Sequence, residues 1–368
     1  MRFSVYLSIF ALVSACGGGG AQTTEQHVLE DGTVVEGSKA STSKDGGPRQ
    51  IAIPGGAATP ISYMSFGQGK LHLGTTDGWV GSAQILNRTS NATRISNTGV
   101  QVVAVSSGGE LALLNSRPPQ VVNQDGALIL NLNMVPVMES GIFAADSFSL
   151  FVSEATGRVR VWGQAHSFEV PKGDEKLENY LNKQASDFSV TFAPLAGPIH
   201  LMPGGTMIFA DQDGVISMWN PAKPSQSKRI MKVEGRVKSL SSSGNEVVAT
   251  SDRGQLKAGK LDPPSFFGWA REAKGDYAAM SDLLRGKFVE SSEGVIRLRV
   301  AETGDVEWEV PAPGKPCGVA ISEDGNFAAV CRDNKMLILS TRDGSWDSTI
   351  WMMQGLHWQD SSGQAIAK

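Results

Sequence analysis

The reading of this chain turns on residues 316–343: Pro316-Cys317-Gly318-Val319-Ala320-Ile321-Ser322-Glu323-Asp324-Gly325-Asn326-Phe327-Ala328-Ala329-Val330-Cys331-Arg332-Asp333-Asn334-Lys335-Met336-Leu337-Ile338-Leu339-Ser340-Thr341-Arg342-Asp343. Three short runs of aliphatic and β-branched residues are separated by an Asp-Gly signal and by Arg332-Asp333-Asn334-Lys335, the pattern of three antiparallel strands. A single sheet of this kind cannot bury both of its faces, so it needs similar neighbours.

Working outward, the same grammar recurs. Aligning the second strands at their first apolar residue places the repeat at Leu71, Leu111, Leu150, Met207, Val247, Lys287 and Ala328, giving spacings of 40, 39, 57, 40, 40 and 41 residues. Seven copies at a period near forty predict an all-β chain folded as a seven-bladed β-propeller of four-stranded antiparallel blades. The one long spacing holds about 17 extra residues, near 172–187. Within it Leu177, Tyr180 and Leu181 stand at i, i+3 and i+4 behind Asp174 as a plausible N-cap, which predicts one short helix over residues 174–184. That insertion is expected to lie on a blade edge, with partner docking through Leu177, Tyr180 and Leu181 as the alternative.

Some of these repeats resemble known families. Gly157-Arg158-Val159-Arg160-Val161-Trp162 and Asp213-Gly214-Val215-Ile216-Ser217-Met218-Trp219-Asn220 resemble the third strand of WD-type repeats, and Thr303-Gly304-Asp305-Val306-Glu307-Trp308 resembles the tail of quinoprotein-type repeats. The resemblance spans roughly residues 50 to 355 and implies a propeller.

The N-terminal end reads as an address. Met1-Arg2 is a small positive region, and residues 3–15 form an apolar run too short to span a bilayer comfortably and well sized for a signal sequence, so residues 1–15 are expected to be removed. Val13-Ser14-Ala15-Cys16 resembles the bacterial lipobox, which implies that Cys16 is lipidated and becomes the mature N-terminus. Gly17, where an aspartate would favour the inner membrane, implies the outer membrane. Residues 16–49 are rich in Gly, Ser, Thr, Lys and Asp and read as a flexible tether with an r.m.s. span of roughly 30 Å. Inside it, residues 27–35 have the pattern of a small hairpin around Asp31-Gly32. The propeller is expected over residues 50–368.

Closure of the ring has two candidates. Gln50-Ile51-Ala52-Ile53-Pro54 stands where an outer strand would complete the last blade, and Ser348-Thr349-Ile350-Trp351-Met352-Met353 competes with it. The N-terminal strand is the expected choice. Trp351, Met352, Met353 and Trp358 would then cover a blade edge, or stay partly exposed as an interaction site.

Composition narrows function. A net charge of −4 with 19% charged residues gives no electrostatic footprint for nucleic acid, and membrane association is expected through the lipid alone. The five histidines show no metal-ligand spacing, and no G-x-S-x-G or H-E-x-x-H occurs. Gly254-Gln255-Leu256-Lys257-Ala258-Gly259-Lys260 matches G-x-x-x-x-G-K, but Leu261 replaces the Ser or Thr that magnesium requires and the segment reads as part of a strand pair. Asp211-Gln212-Asp213-Gly214 reads as a β-turn rather than a calcium loop. The expected function is therefore a non-catalytic, lipid-anchored scaffold that binds another envelope protein and needs no cofactor or metal. The alternative is a periplasmic enzyme of the quinoprotein or lactonase kind.

A disulfide between Cys317 and Cys331 is expected in an oxidising compartment. The two positions are centred on residue 324 and face each other if the turn is the three-residue loop Glu323-Asp324-Gly325, with Gly325 at positive φ. A two-residue Asp324-Gly325 turn would set Cys317 opposite Arg332 instead. Two buried thiols are the alternative.

Overall fold

A computed structural model of the chain describes residues 24–28, 34–38, 58–144, 149–163, 188–192, 194–202, 205–220, 227–269, 273–362 and 364–365. The chain comprises two compact units, residues 1–43 and 44–368. In the first unit β1 (Thr24–Val28) and β2 (Val34–Ser38) pair antiparallel from Thr24↔Ser38 to Val28↔Val34. This is the expected hairpin, centred on Asp31.

The second unit is a ring of seven sheets. Blade 1 comprises β3 (Ile61–Gly67), β4 (Lys70–Thr75), β5 (Trp79–Gln84) and β6 (Thr89–Arg94); blade 2 comprises β7 (Val102–Val105), β8 (Leu111–Leu114), β9 (Gln120–Asn123) and β10 (Leu128–Asn131). Blade 3 contains β11 (Met138–Phe143), β12 (Ser149–Glu154), β13 (Arg158–Gly163) and β14 (Phe188–Thr191). In blade 4 the strands are β15 (His200–Leu201), β16 (Met207–Ala210), β17 (Val215–Trp219) and β18 (Ser227–Lys232). Blade 5 has β19 (Val237–Ser243), β20 (Glu246–Ser251) and β21 (Gln255–Lys260), with its fourth strand split into β22 (Ser265–Phe266) and β23 (Ala273–Lys274). Blade 6 runs through β24 (Tyr277–Met280), β25 (Lys287–Ser292), β26 (Val295–Val300) and β27 (Val306–Pro311), and blade 7 through β28 (Pro316–Ile321), β29 (Phe327–Arg332), β30 (Lys335–Ser340), β31 (Trp346–Met352) and β32 (Leu356–Asp360). All seven residues from which the period is counted lie in second strands.

Sequence pattern explains the layering. Second strands lie between two neighbouring blades and are buried on both faces, so β8 (Leu-Ala-Leu-Leu) and β16 (Met-Ile-Phe-Ala) are continuous apolar runs. Outer strands present one face to solvent, and β6 and β27 alternate or are largely exposed. The buried residues form seven hydrophobic clusters, and each straddles one pair of adjacent blades. Trp162 and Trp219 share register, opposite Leu150 and Met207. The indole of Trp308 donates to Thr341 O at 2.8 Å, and its ring covers Gly344, where a Cβ would come within 2.9 Å of the indole. Trp269 makes the same arrangement with Ala301 O and Gly304. A tryptophan from one blade thus sits on the third-to-fourth-strand turn of the next, and glycine leaves room for it.

The ring closes differently from expectation. Trp346–Met352 is the fourth strand of blade 7, pairing with β30 from Leu339↔Trp346 to Lys335↔Trp351, and Leu356–Asp360 adds a fifth. Blade 7 is complete without Gln50–Pro54, which lies outside the described residues. Closure is made by packing: Leu71, Leu73, Ala83 and Ile85 of blade 1 share one cluster with Ala329, Ile338, Ile350, Met352, Leu356 and Trp358 of blade 7. Hydrogen bonds add to it, from Thr59 N to Met352 O at 2.9 Å, from Trp358 Nε1 to Ser90 Oγ at 3.0 Å, and from Gln68 N and Gly69 N to the Glu323 carboxylate at 3.0 and 2.9 Å.

Cys317 and Cys331 are joined by a disulfide, with Cα atoms 5.0 Å apart. The turn beside it is wider than the three-residue loop. Ser322 N donates to Phe327 O and Ile321 pairs with Ala328, so residues 323–326 form the turn. Asp324 holds it open by accepting from Ser322 Oγ, Asn326 N and Asn326 Nδ2, while Gly325 takes φ +71° as foreseen. Cys331 consequently pairs with Gly318, and a bulge at Cys317 brings the sulfurs together. First strands of blades 1, 2, 3 and 5 carry a register shift at the same place, around Ser62, Val103, Glu139 and Lys238. A bulge tightens the local twist, and blade 7 uses its copy to seat a cysteine.

The insertion joins β13 to β14 of blade 3, and residues 172–187, with the helix expected there, lie outside the described residues. Among the described residues the helical element is a 3-10 turn over Asp282–Leu284, capped by Ser281.

Candidate interaction surfaces

Each blade is an antiparallel meander. Its 1–2 and 3–4 turns therefore gather at one end of the ring (end I), and its 2–3 turns, with the links between blades, gather at the other (end II). Among the described residues the exposed large apolar side chains are Leu86, Leu128, Met134, Val137, Phe266, Leu283 and Val306. Leu86 is in the 3–4 turn of blade 1 and Leu283 in the 1–2 turn of blade 6, while Leu128, Phe266 and Val306 stand where fourth strands begin. Five of the seven thus belong to end I, leaving Met134 and Val137 on the link from blade 2 to blade 3 at end II. The insertion of blade 3 also departs from and returns to end I, since Gly163 ends a third strand and Phe188 begins a fourth.

The residues singled out in the sequence distribute unevenly. Trp351, Met352 and Trp358 are buried at 4%, 0% and 3% exposure, Met352 and Trp358 within the blade 7–blade 1 seam, and they offer nothing to a partner. The reason is the fifth strand, which covers β31. Met353 is half-buried. Leu177, Tyr180, Leu181 and Cys16 lie outside the described residues. Gly254–Lys260 spans a 2–3 turn and β21; Gly254 takes φ +76°, and a Cβ on Gly259 would meet Ser265 O at 2.3 Å. Its amides belong to a β ladder rather than to a phosphate cradle. Asp211 is a turn residue as expected, with its Oδ1 accepting from Asp213 N and Val215 N at 2.9 Å each.

Two clefts open on the surface. One, of about 290 Å³, is lined by Glu139, Ala155, Leu195, Ala196, Gln212 and Arg236. There Arg236 of blade 5 is ion-paired with Glu139 of blade 3, which also accepts from Gly197 N at 3.2 Å. The other, of about 260 Å³, lies on the rim of blade 5 beside β21, where the fourth strand is split.

Polar groups are paired in the interior, some within a blade and some between blades. His72 Nε2 lies 3.1 Å from Gly67 O and 2.9 Å from Ser107 O, so it carries the proton, and Nδ1 accepts from Ser82 Oγ at 2.8 Å. Burial holds its pKa below the usual imidazole value. His200 is pushed down to about 4 by burial, which outweighs the opposing charge of Asp282. Glu290 is fully buried and paired with both Arg297 and Arg299. Arg160 and Glu154 form a second buried pair at 2.6 Å. Arg332 donates to Gly314 O at 3.0 Å and to Ser292 O and Val295 O, and burial lowers its pKa to about 10. His72 and Arg332 thus link neighbouring blades, with Arg332 Nε left without a partner, while the Glu290 and Glu154 ion pairs lie within blades 6 and 3. Among the described residues no group of three or more His, Cys, Asp or Glu side chains is placed to hold a metal ion, and no helix is long and apolar enough to cross a membrane.

No family model matches the chain, and no curated protein does. Solved structures do match. RRP9 WD40 repeats superpose with a TM-score of 0.59 at 11% identity over 77% of this chain and 90% of theirs. The Neurospora crassa Pan2 WD40 domain gives 0.56 at 13% identity over 75% and 86%, and U3-55K gives 0.59 at 12% identity over 84% and 98%. At these identities the likeness is one of fold, and the fold is the seven-bladed propeller of WD40 type.

Proposed function

We propose that this protein is a lipid-anchored propeller of the bacterial cell envelope, displayed from the outer membrane, that acts as a non-catalytic scaffold binding another envelope protein through end I. The carrying observation is the concentration of exposed Leu86, Leu128, Phe266, Leu283 and Val306 at that end, which is also where the blade 3 insertion departs. Apolar side chains held on short turns of a rigid ring are costly in water and gain on being covered. The Cys16 lipobox resemblance supports the anchor, and the tether that follows allows the ring to stand off the bilayer. Function on this reading comes from position and shape. Site-specific photocrosslinking in native envelopes tests it. Crosslinkers at Leu86 and Leu283 should capture one common partner and crosslinkers at Met134 and Val137 should not; equal or absent capture at both ends would refute it.

A further inference from the structure

The rim of blade 5 carries a cleft that shares Phe266 with end I, and what it binds is a question separate from the envelope partner of the reading above. Its fourth strand is split: β22 pairs only with Gly259 and Lys260, β23 only with Gln255 and Leu256. Beside these stubs a cleft of about 260 Å³ opens, and its lining includes Phe266, Phe267 and Trp269 together with Arg253, Lys257 and Lys274. Trp269 is a fixed wall, because its indole donates to Ala301 O at 2.9 Å and its ring stacks on Phe288 at 6.0 Å and 15°. Phe266, by contrast, is 66% exposed. Lys260 Nζ lies 5.7 Å from the Phe267 ring centroid. Among the described residues Glu234 is the one carboxylate in the lining, and neighbouring Asp252 is engaged with Arg236 N at 3.0 Å. The cleft is thus cationic and aromatic on a chain whose net charge is −4.

We propose that this cleft binds an extended acidic peptide segment bearing one aromatic or large aliphatic anchor. The volume accepts one such side chain against the aromatic lining, and carboxylates on flanking residues meet Arg253, Lys257 and Lys274. The split sheet edge favours a peptide over a compact anion, because an extended chain can lie along it. Preformed walls lower the ordering cost of binding, and charge complementarity sets specificity.

The test uses the full chain and the probe acetyl-Asp-Glu-Phe-Asp-Leu-Glu-amide in calorimetric titration, with three comparison probes: the same peptide with Asn and Gln replacing the acids, inorganic phosphate, and a thymidine pentanucleotide. Binding of the acidic peptide should saturate and weaken with added salt. The neutral peptide should bind at least about tenfold more weakly, since each exposed ion pair contributes a modest increment. Lys257→Glu with Lys274→Glu, and separately Phe266→Ser, should each weaken the acidic peptide by about tenfold or more. Phe266 is exposed, so Phe266→Ser leaves the fold intact, and unchanged thermal unfolding verifies this. Equal affinity for acidic and neutral peptides, no saturation by the acidic peptide, tighter binding of phosphate or the oligonucleotide, or affinities unmoved in the variants would each overturn the proposal.

Discussion

At the scale of single residues, the ring depends on charges that water never reaches. Glu154 and Arg160 are paired out of solvent, so removing one member leaves the other buried and uncompensated. Glu154→Ala should cost about 3–5 kcal/mol in urea unfolding, and replacing both by apolar residues of similar volume should recover most of it. The buried imidazoles set a pH dependence. His72 and His200 are neutral in the native state, while the unfolded chain protonates near pH 6.5. Between that pH and the lower native values the unfolded state binds more protons, so the histidine contribution is complete above about 6.5. It is lost as pH falls towards about 4, the native value of His200. His200→Gln should therefore flatten the decline in stability over this window relative to the parent, measured by chemical unfolding across pH. Neither role was legible in the sequence, where the histidines show only that they are scattered. The same holds of Leu86, since nothing in Ile85-Leu86-Asn87-Arg88 tells that Ile85 is buried and Leu86 faces water.

At the scale of elements, second strands were readable because burial on both faces makes each a plain apolar run, and Asp-Gly and Gly signals bound them. The end of the chain was harder. Trp351 and Trp358 look like surplus after a completed repeat, and only the fifth strand, which among the described residues no other blade adds beyond its fourth, shows that they are core. The bulge at Cys317 was equally hidden, because it follows from how Asp324 widens the turn. That disulfide closes a loop of the length for which chain entropy gives about 3 kcal/mol. Cys317→Ser should lose about that much, and a reductant should bring the parent to the same level; titration of the denatured, unreduced ring should find no thiol at either position. Deleting residues 172–187 should leave cooperative unfolding intact, because β13 and β14 pair from Arg158↔Thr191 to Val161↔Phe188 and a shorter loop can join them. Loss of cooperativity would show that the segment is structural.

At the scale of the whole molecule, the seven-fold repeat was legible and the functional surface was not, since exposure depends on which turn residues neighbouring blades happen to cover. The blade 5 cleft is an instance: its strand was readable in Gly254–Lys260, but the aromatic wall comes from an irregular segment with no period. The anchor is tested on the full chain. Cys16→Ser should yield an uncleaved or soluble protein, and fractionation together with mass measurement of the N-terminus decides it; a variant still held in the outer membrane through a lipid would remove the anchor from the proposal.

The seam between blades 7 and 1 has a consequence for how the chain reaches its fold. Every described strand of the ring pairs only within its own blade, and each blade is one continuous stretch of sequence. Contact order is low throughout except at that single join. Blades can therefore form one after another as the polypeptide emerges during synthesis, each adding an interface to the one before. An arc of six blades still leaves two apolar flanks uncovered. They meet only when the seventh blade has formed and its Trp358 reaches Ser90 of the first.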